Sequence, residues 1–137
     1  MYNRNKYISI VKAAKDKILK NVGVAYIDLN GLKAINDNYG HSNGDKFICT
    51  AADTFKMVFP DNSYRIGGDE FVIIEQNIER DKYEERITAL KNIMQDKQVS
   101  ISIGVLWREY VDDLEELLKA ADKLMYMEKE MYHNNRE

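Results

Sequence analysis

The chain is poor in the residues behind several common chemistries. It has one cysteine, Cys49, so no disulfide and no thiol metal cluster can form within it. It has only two histidines, His41 and His133, and a zinc site built on them would need carboxylates as well. One proline and seven glycines in 137 residues, with 45% hydrophobic residues, exclude collagen-like, low-complexity and disordered chains. No uncharged apolar run approaches the length that crosses a membrane, so direct membrane contact is not expected. The opening MYNRNKY lacks the apolar stretch of a secretory signal. Basic charge is not in excess: 20 Lys and Arg face 23 Asp and Glu, for a net charge of −3. That balance excludes the broad positive field that draws nucleic acid. With no disulfide and no export signal, the cytoplasm is the expected location. The length suits one domain with a real core.

What is present is clear periodicity. Ile8, Val11, Ala14, Ile18 and Leu19 predict a helix over residues 5–19. VGVAYID, ending at Asp28, is rich in β-favouring residues and reads as a buried strand. Leu32, Ile35 and Tyr39 then recur at helical spacing, with Gly40 as the stop. Ser42 is the expected cap of a helix running to about residue 59, with Phe47, Ile48, Ala51, Ala52, Phe55, Val58 and Phe59 as its stripe. Pro60 closes it. SYRI and DEFVII around Gly67 and Gly68 form the strongest hairpin pattern. Residues 78–95 carry Tyr83, Ile87, Leu90 and Ile93 on one helical face, and VSISIGVLW alternates as a strand. Residues 112–132 carry Leu114, Leu117, Leu118, Ala121, Leu124 and Met125, a last helical stripe. This order predicts an α+β domain with an antiparallel sheet flanked by helices.

The hairpin carries Asp69 and Glu70 where the chain enters an apolar strand. Taken alone, they read as solvated carboxylates in a polar turn. Asp28 ends the first strand, where it could cap the helix after Gly31 or bind a ligand. If the two strands are neighbours, Asp28 and Asp69 converge at one edge of the sheet. Hard divalent cations prefer such oxygens, completed by water and substrate phosphates. Other motifs fail: GHSNGDK lacks the Lys-Ser/Thr of a Walker A loop, and DLNGLK puts Leu32 and Lys33 where an EF-hand needs a ligand and a glycine. There is no HExxH and no GxSxG.

At this point the sequence resembles the GGDEF family of diguanylate cyclases. RIGGDEFVII resembles its hairpin. IDLNGLKAIND, YGHSNGD, SISIGV, ADKLMY and Lys129 resemble further family segments in the same order, covering residues 2–134. The resemblance implies a palm-like nucleotide cyclase fold with a ferredoxin-like core. It implies condensation of two GTP molecules into cyclic di-GMP, with Mg²⁺ or Mn²⁺ as cofactor. It makes Asp28 and Asp69 metal ligands by side chain and Leu29 by its carbonyl. Asn36 and Asp45 would bind guanine; Lys33, Lys129 and amides near Gly31 would bind phosphates. Glu70 would assist the 3′-hydroxyl, and Gly67 and Gly68 would let the backbone approach the nucleotide. From the residues themselves, Asn36 flanks the apolar face of its helix. Asp45 is expected at the head of the inward stripe of the next helix, as an acid in its first turn. The implied partners are GTP, a transient homodimer partner and an N-terminal sensor or regulatory domain in a longer chain, of which residues 1–137 would be the GGDEF domain.

Three positions depart from the family. Asp61 stands where the inhibitory Arg-x-x-Asp motif has its Asp, but Val58 replaces the Arg, so product inhibition there is expected to be weak or absent. His133 replaces a phosphate-binding Arg near the end of the last helix, and histidine is mostly neutral at pH 7. Arg136 lies nearby but out of register. Tyr2-Asn3-Arg4 resembles only the end of the family's opening motif. The alternative reading is a weakly active or degenerate GTP-binding regulatory module.

Overall fold

The structure is a computed structural model that describes residues 1–136, with side chains through Asn134. In chain order the elements are α1 (Arg4–Ala14), β1 (Leu19–Leu29), α2 (Leu32–Tyr39), α3 (His41–Val58), β2 (Ser63–Arg65), β3 (Glu70–Glu75), α4 (Arg80–Asp96), β4 (Ile101–Val111) and α5 (Leu114–Arg136). The four strands form one sheet in the order β2-β3-β1-β4, and every pairing is antiparallel. The α+β expectation therefore holds, with the hairpin glycines in the β2–β3 turn.

Strand alternation splits the core in two. Ala25, Ile27 and Leu29 of β1 face α3 and α4, where Phe55, Phe59, Tyr83 and Leu90 are fully buried. Phe55 and Phe71 pack ring to ring at 4.8 Å. Val22 and Val24 face the other way, against Ala14 of α1 and Leu114, Leu117, Leu118 and Ala121 of α5. Asp28 shares the parity of Val22 and Val24, so it points toward the α5 side.

Two strand glycines set how closely the helices approach the sheet. A Cβ at Gly23 would lie 2.4 Å from the Tyr83 ring, whose hydroxyl donates to the Val24 carbonyl. A Cβ at Gly104 would lie 1.9 Å from the Ala121 carbonyl oxygen and 2.6 Å from the Met125 nitrogen, so α5 lies directly on the β4 backbone.

Several boundaries differ from the sequence reading. The first helix stops at Ala14, because Asp16 takes φ +61°. Ile18 is then 72% exposed, and Leu19 opens β1 by pairing with Val111. Ser42 is not the cap of α3; Gly40 holds that position without a side-chain bond. Asp45 lies one turn into α3 and is exposed, so it neither joins the inward stripe nor sits in the first turn. The reason is that this end of α3 meets α2, and only Gly44 is buried there. Leu124 is 40% exposed, while Met125 is buried. Asp69 lies in the turn, and β3 begins at Glu70. Among the described residues, no helix is long and apolar enough to cross a membrane.

Candidate active site

The ends of three strands meet at one edge. Asp28 pairs with Glu70 of β3 on one side and with Ser102 of β4 on the other. The Leu29 amide donates to the Asp69 carbonyl at 2.9 Å. The two carboxylates of the sequence reading, 28 and 69, are thus brought together by neighbouring strands.

Asp28 is 3% exposed, and its Oδ1 has no hydrogen-bond donor. Burial, and then the charge of Asp69, push its carboxyl up to about 6 against the lowering effect of Lys129. Lys129 reaches from α5 to form an ion pair with Asp28 Oδ2. Burial works against the Lys129 ammonium, but the Asp28 hydrogen bond and the charges of Asp28, Asp69 and Glu70 outweigh it and raise its pKa. Glu70 is raised as well, by burial first and then by Asp69 and Asp122. This edge therefore holds more negative charge than one ammonium neutralises. That is the condition under which a bound cation stabilises most.

The turn from β1 into α2 is held by Asn30. Its amide donates to the Ser100 hydroxyl at 3.1 Å, its carboxamide oxygen accepts from the Ser102 hydroxyl at 2.9 Å, and its backbone N–H meets the Ser100 carbonyl at 2.9 Å. Gly31 follows at φ +78°, the left-handed region that favours glycine, and is the N-cap of α2. Asp28 is therefore not the cap of that helix. Leu29, Gly31, Lys33, Asp69, Lys129 and His133 all line one cavity of about 340 Å³.

Asn30, Asp37 and Tyr132 also line this cavity, and the sequence reading assigned none of them a role. Asp37 follows Lys33 by one helical turn, which was the available clue. Tyr132 places its hydroxyl 3.4 Å from where a Gly31 Cβ would lie.

Asn36 and Asp45 stand apart from the cavity. Asn36 packs on Gly44, where an added Cβ would lie 1.7 Å from its Oδ1. That oxygen is buried and has no hydrogen-bond donor. Asp45 follows Gly44 directly, but it is exposed and next to the residue that packs on Asn36, not packed on it itself. Gly67 and Gly68 need no special backbone, since neither has positive φ. A Cβ at Gly68 would meet nothing within 4 Å. Val58 is half-buried and Asp61 exposed at the end of α3. The Arg136 side chain lies outside the described residues. No group of three or more His, Cys, Asp or Glu side chains arranged to hold a metal occurs among the described residues. A cation at this edge would need backbone and solvent oxygens as well.

Comparison with known proteins gives one family. The family model "Diguanylate cyclase, GGDEF domain" matches residues 1–135. The signaling protein YkoW of Bacillus subtilis is 38% identical over 124 residues, covering 80% of this chain and 15% of YkoW. Diguanylate cyclase DgcS of Shewanella oneidensis is 33% identical over 137 residues, covering 93% of this chain and 46% of DgcS. The chain thus spans less than half the length of either relative. The GGDEF domain of DgcB from Caulobacter crescentus, solved in complex with c-di-GMP, superposes with a TM-score of 0.77 at 19% identity, covering 93% of this chain and 85% of that one.

Proposed function

The chain belongs to the GGDEF family, and from that premise we propose that it is a diguanylate cyclase domain joining two GTP molecules into cyclic di-GMP with loss of two pyrophosphates. One observation carries the reading: Asp28 and Asp69 converge beside a cavity, and the buried Asp28 Oδ1 has no donor. That orphan oxygen, a second carboxylate and the backbone at Leu29 suit a hard divalent ion such as Mg²⁺ or Mn²⁺. When bound, such an ion would polarise the α-phosphate and lower the pKa of the attacking 3′-hydroxyl.

The protein's own groups do the rest. Lys33, Lys129 and the backbone at Gly31 hold the phosphates. Lys129 both pairs with Asp28 and lines the cavity, so a triphosphate there offers its ammonium a second anionic partner. Asn36 and Asp45 take the guanine, the buried Asn36 Oδ1, which has no donor among the described residues, turning outward from Gly44 to accept from it. A carboxylate at Asp45 accepts from guanine N1–H and the 2-amino group, and adenine has neither. Glu70 assists the 3′-hydroxyl, whose oxygen bonds to the α-phosphorus of the other GTP as the α–β bridge breaks and pyrophosphate leaves. The proton passes to Glu70 or to water. Gly67 and Gly68 leave room for the nucleotide, since nothing within the chain itself requires glycine there. Each copy holds one GTP, so catalysis needs two copies face to face, transiently. In a longer chain, a preceding regulatory domain would control that encounter in the cytoplasm.

His133 on the cavity, in place of the family's arginine, favours a second reading as a GTP-binding regulatory module. The test is incubation of concentrated or artificially dimerised protein with GTP and Mg²⁺, beside Asp69→Ala. Cyclic di-GMP from the wild type alone is the expected result. No product, with GTP still raising the melting temperature, would select the binding module.

A further inference from the structure

We propose that Arg65 and Arg4 are positioning residues that hold the β2–β3 turn in the shape that presents Asp69 and Glu70; as a statement about catalysis, this rests on the cyclase reading. Arg4 Nη1 donates to the Ile66 carbonyl at 3.0 Å. Arg65 Nε donates to the Gly67 carbonyl at 3.2 Å, and its Nη2 to the Gly68 carbonyl at 2.8 Å. Three consecutive carbonyls therefore each accept from a guanidinium. The next two are also paired. The Asp69 carbonyl accepts from the Leu29 amide at 2.9 Å, and the Glu70 carbonyl from the Ile66 and Gly67 amides at 3.0 and 3.4 Å. Every carbonyl from residue 66 to residue 70 has a donor.

The turn needs this support. Two successive glycines have the greatest backbone freedom of any residues and no side chains to pack. The guanidinium is a rigid fork that can serve two carbonyls from one edge, and charge-assisted bonds are roughly twice as strong as neutral ones. Neither arginine has a carboxylate partner among the described salt bridges, so both are directed at the turn. Arg65 is exposed, so its removal leaves the two cores intact. Arg4 adds a second tie from a distant part of the chain. Tyr2 donates to the Ser63 carbonyl at 3.1 Å, Arg65 N donates to the Tyr2 carbonyl at 2.9 Å, and the Tyr2 and Tyr64 rings stack at 5.7 Å. The start of the chain is thus fastened to β2, and Arg4 extends that fastening to the residue before the glycines.

The test compares wild type with Arg65→Ala, Arg65→Lys and Arg4→Lys. Cyclic di-GMP production gives kcat and KM, and NMR gives amide exchange at Ile66, Gly67 and Leu29. Arg65→Ala and Arg65→Lys are both expected to lower kcat by about tenfold, since misplacement by about an ångström costs up to a hundredfold, while KM and melting temperature stay near wild type. Exchange at Ile66 and Gly67 should quicken by about tenfold in the same variants. Arg4→Lys should show both effects more weakly, since one bond is lost. Wild-type kcat in Arg65→Lys would show that charge alone suffices and would overturn the fork geometry. Unchanged exchange in Arg65→Ala would overturn the clamp altogether. If the wild type makes no product, the cyclase reading fails, and the exchange rates alone still decide whether the arginines hold the turn.

Discussion

Replacing Gly104 by alanine tests how the sheet and the site are joined. The new Cβ would start 1.9 Å from the Ala121 carbonyl oxygen and 2.6 Å from the Met125 nitrogen. Both are backbone atoms of α5, so no side-chain rotation relieves the clash. Relief means moving α5 off β4 by about 1 Å, because real Cβ contacts are essentially never below 3.0 Å. Overpacking of this kind typically costs 1–3 kcal/mol, and backbone on both sides puts Gly104→Ala near ~3 kcal/mol. For a domain of this size that lowers the melting temperature by roughly 10 °C. The same shift moves Lys129, one turn beyond Met125, away from Asp28. Thermal and urea unfolding followed by circular dichroism, with KM for GTP on the folded variant, measure both effects. Gly68→Ala is the control: its Cβ meets nothing within 4 Å, so stability should change by less than ~0.5 kcal/mol. If Gly104→Ala melts within about 2 °C of wild type, the α5 backbone does not press on β4 at Gly104.

At Gly44, an added Cβ would lie 1.7 Å from Asn36 Oδ1, but that is a side chain able to rotate. Gly44→Ala should therefore change stability by less than ~1 kcal/mol while weakening GTP binding and its preference over ATP; unchanged titration calorimetry would remove Asn36 from base recognition. Tyr83→Phe loses the buried bond to the Val24 carbonyl and should lower stability by about 1 kcal/mol in urea melts, and equal stability would deny that bond a role. Burial raises the Asp122 carboxyl, so the folded state binds its proton more tightly than the unfolded chain does. Stability from this group is greatest below the unfolded pKa near ~3.9 and falls as pH rises through the folded value. Asp122→Asn should accordingly raise the melting temperature at pH 7 and lose that advantage near pH 4; an equal gain at both would point to another cause.

The parts legible in the sequence are those fixed by local rules. The Asp28 strand and the glycine hairpin followed from β-propensity and turn chemistry. Their adjacency, which alone brings Asp28 to Asp69, is a condition that neither strand encodes by itself, and the antiparallel β1–β3 pairing meets it. Asp45 departs from the inward place its spacing predicts, because helical periodicity describes a helix against one flat partner. The head of α3 instead meets α2, and its exposure follows that second contact. The Lys129–Asp28 pair joins residues 101 apart, and Asn30 reaches Ser100 and Ser102 across 70 and 72. Such contacts depend on strand order and on the tilt of α5, and no local pattern encodes them. The early end of α1 is of the same kind: Ile18 and Leu19 continue a helical period, yet Leu19 is claimed by its pairing with Val111.

The division of the core by the sheet has an energetic consequence. Substitutions on the α3–α4 side and on the α1–α5 side share few neighbours, so their stability effects should add to within about 0.5 kcal/mol. The edge at residues 28–31 and 69–70 is different, because side chains tied to both layers meet there. A pair such as Asn30 and Lys129, one anchored to β4 and one to α5, should depart from additivity in a double-mutant cycle even where changes deeper in the two layers do not. Coupling between the layers would then be concentrated at the one place where chemistry is proposed, leaving each hydrophobic layer free to vary independently of the other.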